Sequence, residues 1–203
     1  MTTTREAPQS ARAGRFPALR YPLAAVGGFA LSAAITAPLS PDLGLTVGSW
    51  VMISVYSVYG ALLARTDLQE RRLPDALTLT LAAFLTGTVL ALAITAGAGG
   101  AAISAISGAL GLAVLLAAFG LLGQVGFGDV KLALSVGLLT GWHTWYFPFI
   151  AIAVAYVLAF PHAIIAAVRR KHGHESTDLP FGPYMIAAGL VVAIVATLAT
   201  LAS

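Results

Sequence analysis

Two aspartates lie at the edges of long apolar segments, where an ionisable side chain is costly and often has a functional role. Asp67 stands in the stretch TDLQERRLPDAL, just after one apolar segment, and Asp129 stands in GQVGFGDVKLAL, just before another. Two carboxyl groups that are brought together share one proton, so one can activate a water molecule while the other donates to a carbonyl oxygen. The sequence alone leaves open whether the two aspartates meet.

Each aspartate also has a structural interpretation. An acid that caps a helix or lies in its first turn stabilises that helix. This favours a structural role for Asp75, which follows Pro74, and for Asp129 it is as good an explanation as catalysis. Asp67 differs, because it lies at the C-terminal end of a predicted helix, where negative charge is unfavourable.

Three residues around Asp129 are candidates to shape a site. Gly126 and Gly128 permit irregular backbone and the close approach of another chain segment. Lys131 either offsets carboxylate charge near the site or extends toward lipid headgroups.

The stretch DLPFGPYMIAAG provides a third group of candidates. Its prolines predict extended backbone just before the last apolar segment. The segment is either a plain helix start or the lining of a substrate groove, and periodicity does not decide between them. The residues concerned are Pro180, Phe181, Gly182 and Pro183.

The elements that must position these residues are apolar. Hydrophobic residues make up 59% of the chain and charged residues 9%, whereas a soluble domain has about 25% charged residues. About 20 helical residues cross a bilayer core, and seven blocks are predicted to be helices: 21–39, 47–64, 76–96, 101–123, 130–141, 147–168 and 181–202. The fifth is short, so we expect it to begin inside the preceding loop or to dip into the membrane against its neighbours. The predicted fold is an all-α, polytopic transmembrane bundle of about seven spans.

The positive charges indicate the orientation. All 11 Lys and Arg residues fall within 1–20, 65–75, 124–131 and 169–180, and positively charged short loops stay cytoplasmic. We therefore expect a cytoplasmic N-terminus, a disordered basic arm over 1–20, and a membrane domain over 21–203 in the inner (plasma) membrane.

Several kinds of site are excluded or disfavoured. The chain has no cysteine, which excludes disulfides, thiolate metal sites and a cysteine nucleophile. His172, His174 and Glu175 are able to bind a metal in principle, but histidines in a basic loop are more often solvated. We predict no metal site, no cofactor and no nucleic-acid partner.

Three stretches, DLQERRLPD, GFGDVKL and LPFGPYMIAAG, resemble in this order the signature regions of the type IV prepilin peptidases. These are membrane aspartic proteases with a glycine-x-glycine-aspartate motif. The resemblance covers roughly residues 51–189 and implies that Asp67 and Asp129 are the catalytic pair, whereas Asp75 is not catalytic. It also implies removal of a basic leader peptide from pilin-like precursors at the cytoplasmic membrane face. Longer members carry a cysteine-bearing zinc segment and methylate the new N-terminus; without cysteine, methyl transfer is not expected here.

Two alternatives of other classes remain. Carboxylates in a membrane protein can relay protons in a coupled transporter, although no acid of this chain lies at the centre of an apolar block. A non-catalytic assembly subunit would use the same acids as helix caps. Substitution by Asn separates the alternatives, because Asn caps a helix but cannot share a proton.

Overall fold

Seven helices make up the computed structural model, which describes residues 19–70, 73–123, 125–171 and 180–202, with only the backbone described for 169–171. The described residues contain no strand, so the all-α prediction is confirmed. The predicted basic arm lies outside the described residues, apart from its last two positions. The helices are α1 (Arg20–Thr36), α2 (Pro41–Glu70), α3 (Asp75–Thr95), α4 (Gly99–Leu121), α5 (Phe127–Gly141), α6 (Phe147–Lys171) and α7 (Gly182–Ala202).

Length and hydropathy divide the helices into two groups. α2, α3, α4, α6 and α7 are each long and apolar enough to cross a membrane. α1 has 17 residues and α5 has 15, both shorter than these five. The chain is therefore a multi-pass membrane protein with at least five helices able to span the bilayer.

The end of α2 differs from the sequence prediction. The apolar block ends at Ala64, and residues 65–75 were expected to form a loop, but α2 continues to Glu70. That part of the prediction is wrong. Hydrophobicity marks where the apolar environment ends and not where the backbone stops being helical, and Arg65, Gln69 and Glu70 belong to residue types that favour helices.

The short helix α5 lies in the middle of the bundle. It packs against α2, α3, α4, α6 and α7, and it is buried at nearly every position from Leu132 to Gly141. Because the surrounding helices shield it, α5 does not need the length of a helix that faces lipid on its own. It begins at Phe127, inside the predicted loop, as expected.

Small residues allow the helices to approach closely. A Cβ atom on Gly28 of α1 would lie 2.2 Å from the carbonyl oxygen of Phe84 in α3, and one on Gly137 of α5 would lie 2.3 Å from Cα of Ala109 in α4. Such contacts between backbones are typical of membrane helix packing. The high glycine content thus has a structural explanation.

α2 and α7 run antiparallel, which sets the two ends of the bundle. Gly60 of α2 packs against Ile186, and Tyr56, one turn further from Asp67, packs against Gly189. Asp67 therefore lies at the start of α7. At the opposite end, Trp142 after α5 donates a hydrogen bond to Ser49 near the start of α2.

Candidate active site

Asp67 lies in the last turn of α2 and is only 7% exposed. The backbone N–H of Gly182, the first residue of α7, donates a hydrogen bond to its carboxyl group. Its Oδ2 atom is buried and has no hydrogen-bond partner among the described residues. An orphaned buried carboxylate oxygen is unusual in a folded protein and is typical of sites that bind water or substrate.

Asp129 lies in the first turn of α5 and is half-buried. The N-cap of α5 is Gly126, and no side chain makes a capping hydrogen bond there. The interpretation of Asp129 as a helix cap is therefore wrong, although its charge still lies at the favourable end of the helix dipole.

The two carboxyl groups interact electrostatically. Burial, and secondly the negative charge of Asp67, raise the pKa of Asp129 from 3.8 to about 6. Both effects disfavour the ionised form, because a buried carboxylate loses hydration and a second negative charge repels it. The fold places the two aspartates at the same end of the bundle, within electrostatic range of each other.

Leu73 connects the two halves of the site. A Cβ atom on Gly128, next to Asp129, would lie 3.1 Å from Cβ of Leu73, and one on Gly182 would lie 3.4 Å from Cδ2 of Leu73. The Leu73 side chain therefore contacts both Gly128 of α5 and Gly182 of α7. Sequence analysis did not single out Leu73, since a leucine beside a proline carries no chemical signal of its own.

The two candidate glycines differ in their backbone. Gly126 has φ −71° and ψ 143°, an extended conformation open to any residue, and Gly128 is helical. The left-handed backbone occurs instead at Gly123, with φ 73°. Gly126 and Gly128 therefore do not use the backbone freedom that glycine permits, whereas another segment does approach Gly128 closely.

The Pro180 to Pro183 segment forms the start of α7. Pro180 and Phe181 precede the helix, which begins at Gly182, so Gly182 and Pro183 are helical and not extended. The ring of Phe181 packs on Tyr156 of α6, with 4.9 Å between the ring centroids. The segment is thus a helix start that is anchored to α6 and pressed against Asp67.

Lys131 is paired with Asp75 and not extended toward headgroups. Its Nζ lies 2.6 Å from Oδ1 of Asp75, with the two side chains 35% and 59% exposed. Pro74 is the N-cap of α3, so Asp75 is a first-turn acid and not the cap. This ion pair joins the starts of α3 and α5, and sequence did not indicate it because the adjacency of these helices is tertiary information.

Two histidines form hydrogen bonds to α7. Nδ1 of His162 lies 2.7 Å from the hydroxyl oxygen of Tyr184, which links α6 to α7. His143 lies at the end of the bundle opposite Asp67, where Nε2 is 3.1 Å from Oγ1 of Thr197. No cluster of three metal-ligating side chains occurs within the described ranges, and the 172–175 cluster lies outside them.

The fold and the site define a class: a multi-pass helical membrane protein with two coupled carboxyl groups at one end of the bundle. The model of the type IV leader peptidase family matches residues 54–164, more than half of the chain. Both aspartates lie inside this region. The chain belongs to the type IV leader peptidase family.

Curated relatives agree with this assignment. The chain is 33% identical over 180 residues to a prepilin leader peptidase/N-methyltransferase of Aeromonas hydrophila, covering 85% of this chain and 57% of the relative. The protein with the same description in Burkholderia pseudomallei is also 33% identical over 180 residues, covering 84% and 53%. Leader peptidase HopD of Escherichia coli is 35% identical over 68 residues, covering 34% and 42%.

The chain spans about half the length of the curated relatives that it matches. No solved structure matches it.

Proposed function

We propose that this chain is an aspartic endopeptidase that removes the basic leader peptide from prepilin-like or pseudopilin-like precursors at the cytoplasmic face of the plasma membrane. The observation that carries the proposal is the position of Asp67 and Asp129 at one end of a helical bundle, where Leu73 lies against Gly182 beside Asp67 and against Gly128 beside Asp129. Membership of the leader peptidase family supports the same activity.

The coupled pair supplies the chemistry of peptide hydrolysis. One proton is shared, so one carboxyl group is ionised and the other is protonated. The ionised group takes a proton from water as its oxygen attacks the scissile carbonyl carbon, and the protonated group donates to the carbonyl oxygen. The C–N bond then breaks, the departing nitrogen takes up a proton, and the products are a leader with a new carboxyl terminus and a mature protein with a new amino terminus.

Within the pair, the proton is assigned to Asp129, whose pKa is raised to about 6. Asp67 is then the general base. Burial raises the pKa of Asp67 as well, and the hydrogen bond from the Gly182 N–H to its carboxyl group opposes that rise, because a backbone donor favours the ionised form of a carboxylate. Asp129 is raised by burial and also by the charge of Asp67, which supports placing the proton on Asp129. The two residues titrate as one unit, so measured pKa values belong to the pair.

The proposed substrate fits the proposed orientation. A precursor with a basic leader keeps that leader in the cytoplasm, while its apolar helix enters the bilayer. The scissile bond between them is then at the membrane boundary, where Asp67 and Asp129 lie if the N-terminus of this chain is cytoplasmic. The lipid bilayer holds enzyme and precursor side by side.

The neighbouring residues have supporting roles in this proposal. Gly128 and Gly182 admit Leu73 and keep the approach to the carboxyl groups narrow. Pro180, Phe181 and Pro183 fix the start of α7, and Lys131 fixes the start of α5 through Asp75.

The direct test is a cleavage assay with the protein in lipid nanodiscs. A precursor from the same genome, carrying a basic leader before an apolar helix, is added, and the products are identified by mass and by N-terminal sequencing. We expect a single cut between the leader and the helix. A protein that leaves such precursors intact but moves protons across sealed vesicles would instead support the transporter alternative.

A further inference from the structure

A cavity with several polar side chains in its lining lies at the end of the bundle opposite Asp67, and the peptidase proposal does not use it. Its volume is about 420 Å³. We call it the distal pocket; the side chains that matter to the argument are Asp42, Thr46, Ser49, Trp142, His143 and Thr197. They come from the start of α2, the end of α7 and the segment that follows α5.

Three hydroxyl groups of the distal pocket, those of Thr46, Ser49 and Thr197, are available to a ligand as acceptors. Each donates its hydrogen to a backbone carbonyl oxygen four residues earlier in its own helix. The donor–acceptor distances are 3.1 Å for Thr46, 2.9 Å for Ser49 and 2.8 Å for Thr197. A hydroxyl whose hydrogen is already engaged can still accept hydrogen bonds.

The two ring N–H groups are also engaged. Nε1 of Trp142 donates to Oγ of Ser49 at 3.2 Å. Since the hydrogen of Thr197 is directed to its own helix, Nε2 of His143 is the donor in their 3.1 Å contact. The other ring nitrogen of a neutral imidazole then carries a lone pair, and burial lowers the pKa of His143, which keeps the ring neutral at neutral pH.

The pocket also carries one negative charge. Asp42 lies in the first turn of α2, is exposed, and takes part in no ion pair within the part of the chain that the structure describes. A lining that offers acceptors, a carboxylate and the aromatic ring of Trp142 is complementary to a cation that brings its own hydrogen-bond donors.

We propose that the distal pocket binds a primary ammonium group, carried by a lipid headgroup or by a small free amine. An anion would find acceptors where it needs donors. A quaternary ammonium has no N–H to give, so it would leave the lone pairs unused. Calcium and magnesium prefer sites richer in charged oxygen ligands, and the described residues contain no cluster of three His, Asp or Glu side chains.

Trp142 provides the readout. The chain has three tryptophans, so Trp50→Phe combined with Trp145→Phe leaves Trp142 as the reporter. In this background, in detergent, fluorescence is titrated with ethanolamine and with tetramethylammonium. We expect a saturable change with ethanolamine and none with tetramethylammonium over the same range.

Asp42→Asn is the main variant, and we expect it to weaken ethanolamine binding about tenfold or more, because a charge-assisted hydrogen bond is lost. Asp75→Asn makes the same change in the first turn of α3 at the opposite end of the bundle and should leave binding unchanged. Thermal unfolding of each variant verifies that it is folded.

Native mass spectrometry from mixed nanodiscs identifies the source of the ammonium group. Retention of phosphatidylethanolamine over phosphatidylcholine, lost in Asp42→Asn, supports a lipid headgroup; ethanolamine binding without such retention supports a free amine. The proposal is overturned if neither ligand binds, if tetramethylammonium binds as well as ethanolamine, or if Asp42→Asn binds normally. Binding of Ca²⁺ or Mg²⁺ with which ethanolamine does not compete also overturns it. These measurements do not involve peptidase activity, so failure of the binding proposal can be distinguished from failure of the function proposed above.

Discussion

Because Gly182 has no side chain, it leaves room for the carboxyl group of Asp67. A Cβ atom at position 182 would lie 2.7 Å from Oδ2 of Asp67, closer than side chains tolerate. The same glycine donates its backbone N–H to that carboxyl group. The start of α7 therefore both leaves room for and orients one member of the proposed catalytic pair.

This relationship predicts that Gly182→Ala lowers cleavage strongly, by roughly tenfold to a hundredfold, because small displacements of catalytic groups carry large rate penalties. Alanine favours a helix more than glycine does, so the variant should remain folded. The cleavage rate and thermal unfolding are measured together. Gly27→Ala is the matched control, since nothing lies within 4 Å of its added Cβ in α1. Equal activity of the two variants would show that Asp67 does not need this space.

Asp67→Asn and Asp129→Asn should each abolish leader removal while leaving a folded, membrane-inserted protein. Asn has nearly the same volume as Asp but can neither activate water nor hold the shared proton. The double substitution should be no worse than either single one, because residues that act as one unit are not additive. Conversion of a co-expressed precursor, seen as a mobility shift, measures all three.

Asp75→Asn is the internal control for that series and should remain active, since Asp75 is 59% exposed and Asn still accepts a hydrogen bond from Lys131 at the start of α5. An inactive Asp75→Asn with an active Asp67→Asn would reassign the first carboxylate. Normal processing by every variant would favour the non-catalytic assembly subunit.

The cleavage rate should show a bell-shaped dependence on pH. The active form carries one proton on the pair, so the rate falls at low pH when both groups are protonated. It also falls as pH rises above about 6, where Asp129 loses its proton. Initial rates in nanodiscs across the acid-to-alkaline range test this, with thermal unfolding at each pH as the control for stability. A flat profile would contradict a shared proton.

Asp129→Asn should also stabilise the protein at neutral pH. Folding raises the pKa of Asp129 from 3.8 to about 6, so the folded state binds this proton more tightly than the unfolded state. The resulting stabilisation is present below the ordinary pKa and is lost as pH rises through about 6. At pH 7 the substitution should raise the free energy of unfolding by on the order of 1 kcal/mol, and near pH 4 it should have almost no effect. A lower melting temperature at pH 7 would contradict this account.

The orientation remains a prediction from the positive charges. With seven spans and a cytoplasmic N-terminus, a reporter fused after Ser203 is external, whereas one inserted within 169–180 is cytoplasmic. Alkaline phosphatase, active only outside the cytoplasm, and a fluorescent protein, which folds in the cytoplasm, give opposite signals at the two positions. A cytoplasmic C-terminus would remove one span from the count, and α1 and α5 are the shortest helices.

The amino-acid sequence by itself determined which segments form the seven helices. Hydrophobic blocks of fixed length are required by the thickness of the bilayer, so all seven helices were predicted, most with bounds within a few residues of those observed. Both ends of α2, predicted at 47 and 64 and observed at Pro41 and Glu70, were misplaced by six residues, because the edge of an apolar block need not be the end of a helix. The glycine-x-glycine-aspartate motif and the two flanking stretches indicated the family without any knowledge of contacts.

Tertiary structure decided which of these elements meet. The coupling of Asp67 to Asp129, the contacts of Leu73 with Gly128 and Gly182, and the pairing of Lys131 with Asp75 join residues of different helices. Helix periodicity says which residues share a face of one helix, but it carries no information on which helix that face will pack against. The distal pocket has the same origin, because its acceptors become a single lining only when the start of α2, the end of α7 and the segment after α5 come together.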